Sequence, residues 1–347
     1  MFTYENLKNE LSDKFGKKKK YAVRLAECYQ RIGYAKKSAR VGSCGSFLQF
    51  GLYDDNSVHL HSANFCKDVL CPVCAWRKSL KLYSEVYKCA SELRNTYQFV
   101  FATLTLKNCK ADDLKATISL LGKAYTKLMR KKRMKFVKGA FKALEITYNH
   151  KTGEFHPHLH IIWAVSQDYF QSADYLKTEE LVSLWQSALD CDYSPLCFIE
   201  KIKPNQSKGK DALSAAVAEV AKYPVKASDF LSFDDDTNDF IVETLSQALS
   251  SKRMFEFYGC FSEMRKKLKL EENEEDLIHI DNDTKNNAVL IALLSFSWNK
   301  EFKEYIMVDV IKMIENDLNA VLQAPTQRVR RFSPGVPFAC GNSKTAV

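Results

Sequence analysis

Three stretches, Gln98 to Lys107 (QFVFATLTLK), Ala140 to Asn149 (AFKALEITYN) and Phe155 to Val165, mix apolar runs with period-two alternation of polar and apolar positions, and each predicts a strand. The period changes to that of a helix from Asp112 to Arg133, again from Thr178 to Ala188, and again from Asp211 to Lys222, with a short strand expected at Cys197 to Ile202. His150-Lys151-Thr152-Gly153 is a turn joining the second and third strands. The order is therefore β-α-β-β-α-β followed by a helix. That is the split βαβ arrangement, an α+β fold with a ferredoxin/RRM-like antiparallel sheet, helices against one face and the other face free for a ligand.

Upstream, Ser43 to His61 alternates and turns at Asp54-Asp55-Asn56-Ser57, which predicts a hairpin, and a helix follows from about Ala75 to Leu93. Residues 1–40 hold 11 Lys/Arg against 4 Asp/Glu without a proline, which predicts a basic helical arm. After Asp229 the composition turns acidic, with Asp234, Asp235, Asp236 and Asp239, then Glu271, Glu272, Glu274, Glu275 and Asp276. These shifts divide the chain into the arm (1–40), a cysteine-bearing segment with its helix (41–95), the split βαβ core (96–230), a helical C-terminal region (231–325) and a basic tail (326–347) containing Arg328, Arg330 and Arg331.

Composition narrows the class. With 347 residues, 46% hydrophobic and 27% charged, and only 12 Gly and 8 Pro, the chain is an ordinary globular protein rather than a disordered or collagen-like one. The net charge of +9 permits a polyanionic partner. Acids in the first twenty residues, no apolar leader and no bilayer-length apolar run predict a cytoplasmic protein without a membrane partner. In that compartment the 11 cysteines are expected as thiols, bound to metal where they cluster.

Three groups of residues could carry chemistry. Cys66, Cys71 and Cys74 lie within nine residues and are interrupted by Pro72, and Cys44 upstream offers a fourth thiolate. The spacing fits a structural zinc knuckle, with His59 or His61 as substitutes for Cys44. In His156-Pro157-His158-Leu159-His160, positions i and i+2 of a strand share a face, so His158 and His160 present two imidazoles to one ion. Glu145, an acid in the apolar strand antiparallel to them, completes a two-His-one-carboxylate set suited to a divalent ion that holds a phosphate oxygen. Of the 16 tyrosines, Tyr34, Tyr148 and Tyr223 have Lys at i+3; only Tyr223 also has Glu at i−4. Glu219, Tyr223 and Lys226 would then follow one helical face, although Pro224 should kink or end that helix. A run from Lys127 to Lys142 with eight Lys/Arg and no acid, and Lys201, Lys203, Lys208 and Lys210, offer phosphate-binding surfaces.

The ordered set FATLTLKN (Phe101 to Asn108), HPHLHIIW (His156 to Trp163) and EVAKYPVK (Glu219 to Lys226) resembles the three motifs of HUH-type rolling-circle replication initiators of small plasmids. The cysteine segment Ala63 to Lys81 and the ALEITYN strand resemble the single-tyrosine Rep class-1 group, and KRMFEFYGCFSEMRKKL resembles its C-terminal segment. The resemblance implies an HUH endonuclease core and a site-specific single-strand endonuclease and ligase. In it His158, His160 and Glu145 bind Mg2+ or Mn2+, Tyr223 attacks the scissile phosphate, Lys226 assists, and Glu219 activates water at termination. It also implies plasmid origin DNA as partner, through a hairpin or single-stranded nick site, together with a host helicase and DNA polymerase and, as one option, a homodimer. Two alternatives stay open: a relaxase or single-tyrosine transposase with the same metal pair, and a non-catalytic zinc-dependent DNA-binding regulator. Relaxase tyrosines usually precede the histidines; Tyr223 follows them by more than sixty residues.

Overall fold

Within the basic N-terminus, Leu7, Leu11, Phe15, Ala22, Ala26 and Tyr29 recur at intervals of three, four or seven residues and all are buried. A computed structural model, which describes residues 4–202, 212–222, 224–271, 276–280 and 288–313, folds this stretch into α1 (Tyr4–Leu11), a π turn, α2 (Lys17–Arg31) and α3 (Ala35–Ser43). The expected arm is thus helical but docked: its apolar stripe joins the main core, and α2 packs on α3, α4 and α8. A run of lysines had hidden a core face.

The hairpin forms as β1 (Phe47–Tyr53) and β2 (Val58–Ala63), and Pro72 opens the long helix α4 (Pro72–Leu93), where a missing N–H costs nothing. The central unit follows as β3 (Tyr97–Thr105), α5 (Leu114–Met129), β4 (Gly139–Asn149), β5 (Glu154–Ser166), α6 (Thr178–Leu189), β6 (Cys197–Lys201) and α7 (Ala212–Val220). Beyond it lie α8 (Asp235–Ala248), β7 (Phe255–Gly259), α9 (Cys260–Lys267), β8 (Leu290–Asn299) and β9 (Glu304–Lys312). The region expected to be purely helical after residue 231 therefore also supplies three strands. The basic tail, like Lys203, Lys208 and Lys210, lies outside the described residues.

All pairings in the central sheet are antiparallel, in the order β6-β3-β5-β4-β7, so the split βαβ unit gains β7 as an added edge. The second sheet has the order β2-β1-β8-β9. Leu104, Leu144, Leu159, Ile161 and Trp163 of the central sheet are buried in the same core as Leu121, Leu128, Leu181 and Trp185 of α5 and α6. The opposite face, expected to be free, is partly covered. Phe99, Phe141, Ile162 and Ala164 pack there against Leu82 and Val86 of α4, Val217 and Val220 of α7, and Phe261 of α9. Helix α7 stops at Val220, before Pro224.

Proline in a central strand normally removes a ladder bond, yet Pro157 sits in β5. Its partner Ile146 turns its N–H away from β5, donating to the Pro224 carbonyl at 2.6 Å, so Pro157 also faces away from β4. On that other side the pairing with β3 ends at His158. The proline therefore forfeits no sheet bond, and the strand reaches His156.

Candidate metal centres and nucleic-acid site

Register brings the second candidate group together. Glu145 of β4 lies opposite His158 of β5, and His160 lies opposite Ala143 and, on its other side, Thr103 of β3. Glu145 Oε2 is 2.8 Å from His160 Nε2 and 3.4 Å from His158 Nε2, and the two Nε2 atoms are 3.1 Å apart. For metal–ligand bonds of about 2.1 Å, adjacent corners of an octahedron are about 3.0 Å apart. The three donors therefore match one face of an octahedron and leave three positions for solvent or substrate oxygens.

The remaining ring nitrogens orient the imidazoles. His158 Nδ1 lies 3.1 Å from the His156 carbonyl, which can only accept, so Nδ1 carries a proton and the ring is turned with Nε2 toward the triad. His160 Nδ1 is 3.1 Å from Thr103 Oγ1, a hydroxyl that can donate or accept and that holds the plane of the second ring. Burial pushes the Glu145 carboxyl up, but hydrogen bonds and charge from His158 and His160 outweigh it and hold the group well below its ordinary value. His156 is not part of the set; its Nδ1 is 2.8 Å from Asn108 Oδ1.

Lys226 approaches from a different segment, with Nζ 3.6 Å from Glu145 Oε1, the carboxylate oxygen turned away from the imidazoles. Together with the Ile146–Pro224 bond, this fastens residues 224–226 beside Glu145. Tyr223 lies outside the described residues. The expectation that Glu219, Tyr223 and Lys226 share a helical face is corrected. Glu219 is on α7 and pairs with Lys222 three residues on, while Lys226 is extended (φ −76°, ψ 138°) beyond the helix end. Pro224 is the physical reason, since it disfavours helical geometry in the residue before it.

The first candidate group also converges. Cys44 Sγ is 3.5 Å from both Cys71 Sγ and Cys74 Sγ, and Cys66 Sγ is 3.7 Å from Cys74 Sγ. Four sulfurs at about 2.3 Å from a zinc ion form a tetrahedron with edges of about 3.8 Å, so the cluster is sized for one ion with no open position. Cys44 at the end of α3 is the fourth member; His59 instead stands beside the Tyr53 ring and His61 is exposed on β2. Backbone N–H groups of Cys66, Lys67 and Asp68 donate to sulfurs of Cys44, Cys74 and Cys66 at 3.2–3.5 Å, which fixes the orientation of the three sulfurs.

Two supporting residues were not singled out from sequence. Thr103 was visible only as a polar position in an apolar strand. Lys19 is fully buried and donates from Nζ to the carbonyls of Gly42 and Cys44, each at 2.7 Å. Burial pulls its ammonium below the usual lysine value, while the thiolates of Cys44, Cys71 and Cys66 partly restore it. It lies four residues after Phe15 and three before Ala22, so its helical position was the available signal.

The basic run from Lys127 to Lys142 does not converge on the triad. Arg133 is bound to Glu180 and to the carbonyls of Asp174 and Tyr175, and Lys142 projects over the Tyr125 ring on the α5 side of the sheet. Among the described residues no helix is long and apolar enough to cross a membrane.

Comparison with known proteins gives a family and several curated relatives. Residues 57–306 match a family described as Replication protein. A curated "Protein rep" of Lentilactobacillus hilgardii is 36% identical over 284 residues, covering 80% of this chain and 90% of that protein. The "Protein rep" of Lactiplantibacillus plantarum is 35% identical over 294 residues, covering 82% and 92%. That of Streptococcus pneumoniae serotype 2 is 33% identical over 300 residues, covering 84% and 90%. No solved structure matches the chain.

Proposed function

The chain belongs to the Replication protein family, and we propose that it initiates rolling-circle replication of a plasmid by nicking one strand at the double-strand origin and later rejoining the ends. The observation that carries this reading is the Glu145–His158–His160 triad, with the segment that flanks position 223 fastened to the same strand by Ile146 and Lys226. Mg2+ or Mn2+ held by the triad would supply charge stabilisation at a phosphate oxygen, and Zn2+ in the four-cysteine cluster would be structural.

Tyr223 is the proposed nucleophile. Its phenol oxygen loses its proton and forms the new bond to phosphorus as the bond to the 3′ oxygen breaks, giving a 5′-phosphotyrosine, and the departing 3′ oxygen takes up a proton to become a free 3′-OH. A phenol with an ordinary pKa of about 10 needs its proton removed or its anion stabilised, and Lys226 supplies a nearby positive charge for that purpose. Glu145 accepts Lys226 on one oxygen and faces the imidazoles with the other, so one carboxylate ties the cation to the triad. Thr103 and the His156 carbonyl orient the two imidazoles so that both Nε2 atoms face Glu145. Glu219 is the proposed base that activates water for the terminating cut, which lets a single tyrosine begin and end a round. A helicase and a polymerase of the host would extend the primer.

Incubating the full-length protein and Mn2+ with a single-stranded origin oligonucleotide should give a protein–DNA adduct that survives denaturation. Tyr223→Phe should abolish it, and His158→Ala should abolish it while leaving the zinc content unchanged. An adduct that persists in Tyr223→Phe would remove the nucleophile assignment, and no adduct with any origin strand would remove the nicking reading.

A further inference from the structure

Two large apolar side chains stand uncovered beside the triad. Leu196 and Phe198 are 67% and 59% exposed, whereas Cys197 between them is buried on the opposite face of the sheet. Leu196 is joined to Thr105, whose N–H and Oγ1 both donate to its carbonyl, and Thr105 lies opposite His158. Phe198 lies opposite Thr103, which lies opposite His160. Alternation puts Leu196 and Phe198 on the same face as the two imidazoles, each in the cross-strand row of one histidine. Two strand spacings separate them from β5, about 10 Å.

This face continues the triad with other ring systems. Phe101, diagonal to Phe198 on β3, has its ring centroid 5.7 Å from that of His160. Exposed Lys107 and Lys110 follow at the end of β3, and Lys107 Nζ lies 4.2 Å from the centre of the Tyr193 ring. Glu200, two residues beyond Phe198 on the same face, disfavours a phosphate at that point. The surface therefore presents apolar and aromatic groups where a base would lie, with cations at the triad end where backbone would lie. An exposed aromatic on an open sheet face is how sheets hold unpaired bases by stacking.

We propose that Phe198, supported by Leu196, is a stacking platform for an unpaired base next to the scissile phosphate of single-stranded DNA. It rests on the nicking reading for the position of the phosphate, and it goes beyond that reading by assigning β6 to single-strand recognition. A base in a duplex hides its face against its neighbours, so the platform selects melted or hairpin-loop DNA over duplex.

The test uses the full-length protein without added divalent ion and a single-stranded oligonucleotide carrying 2-aminopurine, whose fluorescence is quenched by stacking. Phe198→Ala should weaken single-strand binding by about tenfold, or ~1.4 kcal/mol, and restore the fluorescence, with duplex binding unchanged. Phe198→Trp should recover both signals. Phe302→Ala, which alters an equally exposed ring at the far end of the second sheet (65% exposed), should change neither. Wild-type single-strand affinity in Phe198→Ala, or an equal loss on duplex, would overturn the platform. The two readings fail separately. If the covalent adduct forms but residue 198 has no effect on binding, only the platform falls; if binding depends on residue 198 but no adduct forms with any strand, the nicking reading falls.

Discussion

Replacing Lys19 with methionine tests whether the N-terminal helices are part of the folded core or an appendage. Methionine keeps much of the volume but removes both hydrogen bonds from Nζ, leaving the Gly42 and Cys44 carbonyls without that donor. Each buried acceptor left unsatisfied costs roughly 1–3 kcal/mol, or roughly 2–6 kcal/mol for the pair. Relief of the cost of burying an ammonium offsets part of this, and loss of its attraction to the thiolates of Cys44, Cys66 and Cys71 adds to it. A net loss of about 3 kcal/mol follows, which at roughly 1–2 °C per kcal/mol for a chain of this length lowers the melting temperature by about 3–6 °C. Because the Cys44 carbonyl belongs to a residue of the cysteine cluster, zinc should also leave faster when a chelator is added. The control is Lys20→Met, one residue on and exposed, which should stay within about 0.5 kcal/mol of wild type. Scanning calorimetry and a colorimetric zinc-release assay read the two quantities. Equal melting and equal release rates in the two variants would refute the argument and return residues 1–40 to the status of an arm.

Three further outcomes are expected. Cys71→Ser should lower zinc content by metal analysis and lower the melting temperature, and a metal-free variant as stable as wild type would dismiss the knuckle as a folding element. Glu145→Gln should reduce acid lability. The folded carboxyl titrates below its ordinary 4.5, so its stabilisation is full above that value and is lost as the pH falls through the folded value. Melting curves of wild type and variant that run parallel from about pH 5 to pH 3 would contradict this. Glu219→Ala should spare the first nick but impair release of unit-length circles, and a normal yield of circles would remove Glu219 as the water-activating base.

The parts of the molecule that could be read from the chain are those where structure follows from neighbours in sequence. The four core strands and two helices of the split βαβ unit each carry the apolar pattern of their own type, and inside the apolar stretches of β4 and β5 the titratable interruptions are Lys142, Glu145 and the histidines. Glu145 was visible for the same reason: a carboxylate among ALEITYN has to meet a partner, and the four-residue turn at 150–153 fixes which strand supplies it. Where the partner is distant in sequence, the pattern alone was not enough. Phe255–Gly259 is five residues long and becomes a strand by pairing with Gly139–Ala143, more than a hundred residues earlier. Leu290–Asn299 has consecutive apolar residues, a pattern that fits a buried helix as well as a strand, and only its place between β1 and β9 decides. At Lys19 composition outweighed periodicity, because four lysines in a row suggest solvent even when one of them occupies a core position. The tyrosine segment failed for a third reason. A spacing of Glu, Tyr and Lys at i−4, i and i+3 has meaning only on a continuous helix, and Pro224 ends that continuity before Lys226 is reached. What joins Lys226 to the site is a carboxylate on β4, a contact that requires the sheet to exist first. The candidate metal ligands of the triad are therefore set by local register, whereas Lys226 beside them is set by a segment that crosses from one layer to another, and it is in those crossings that sequence periodicity carries no information.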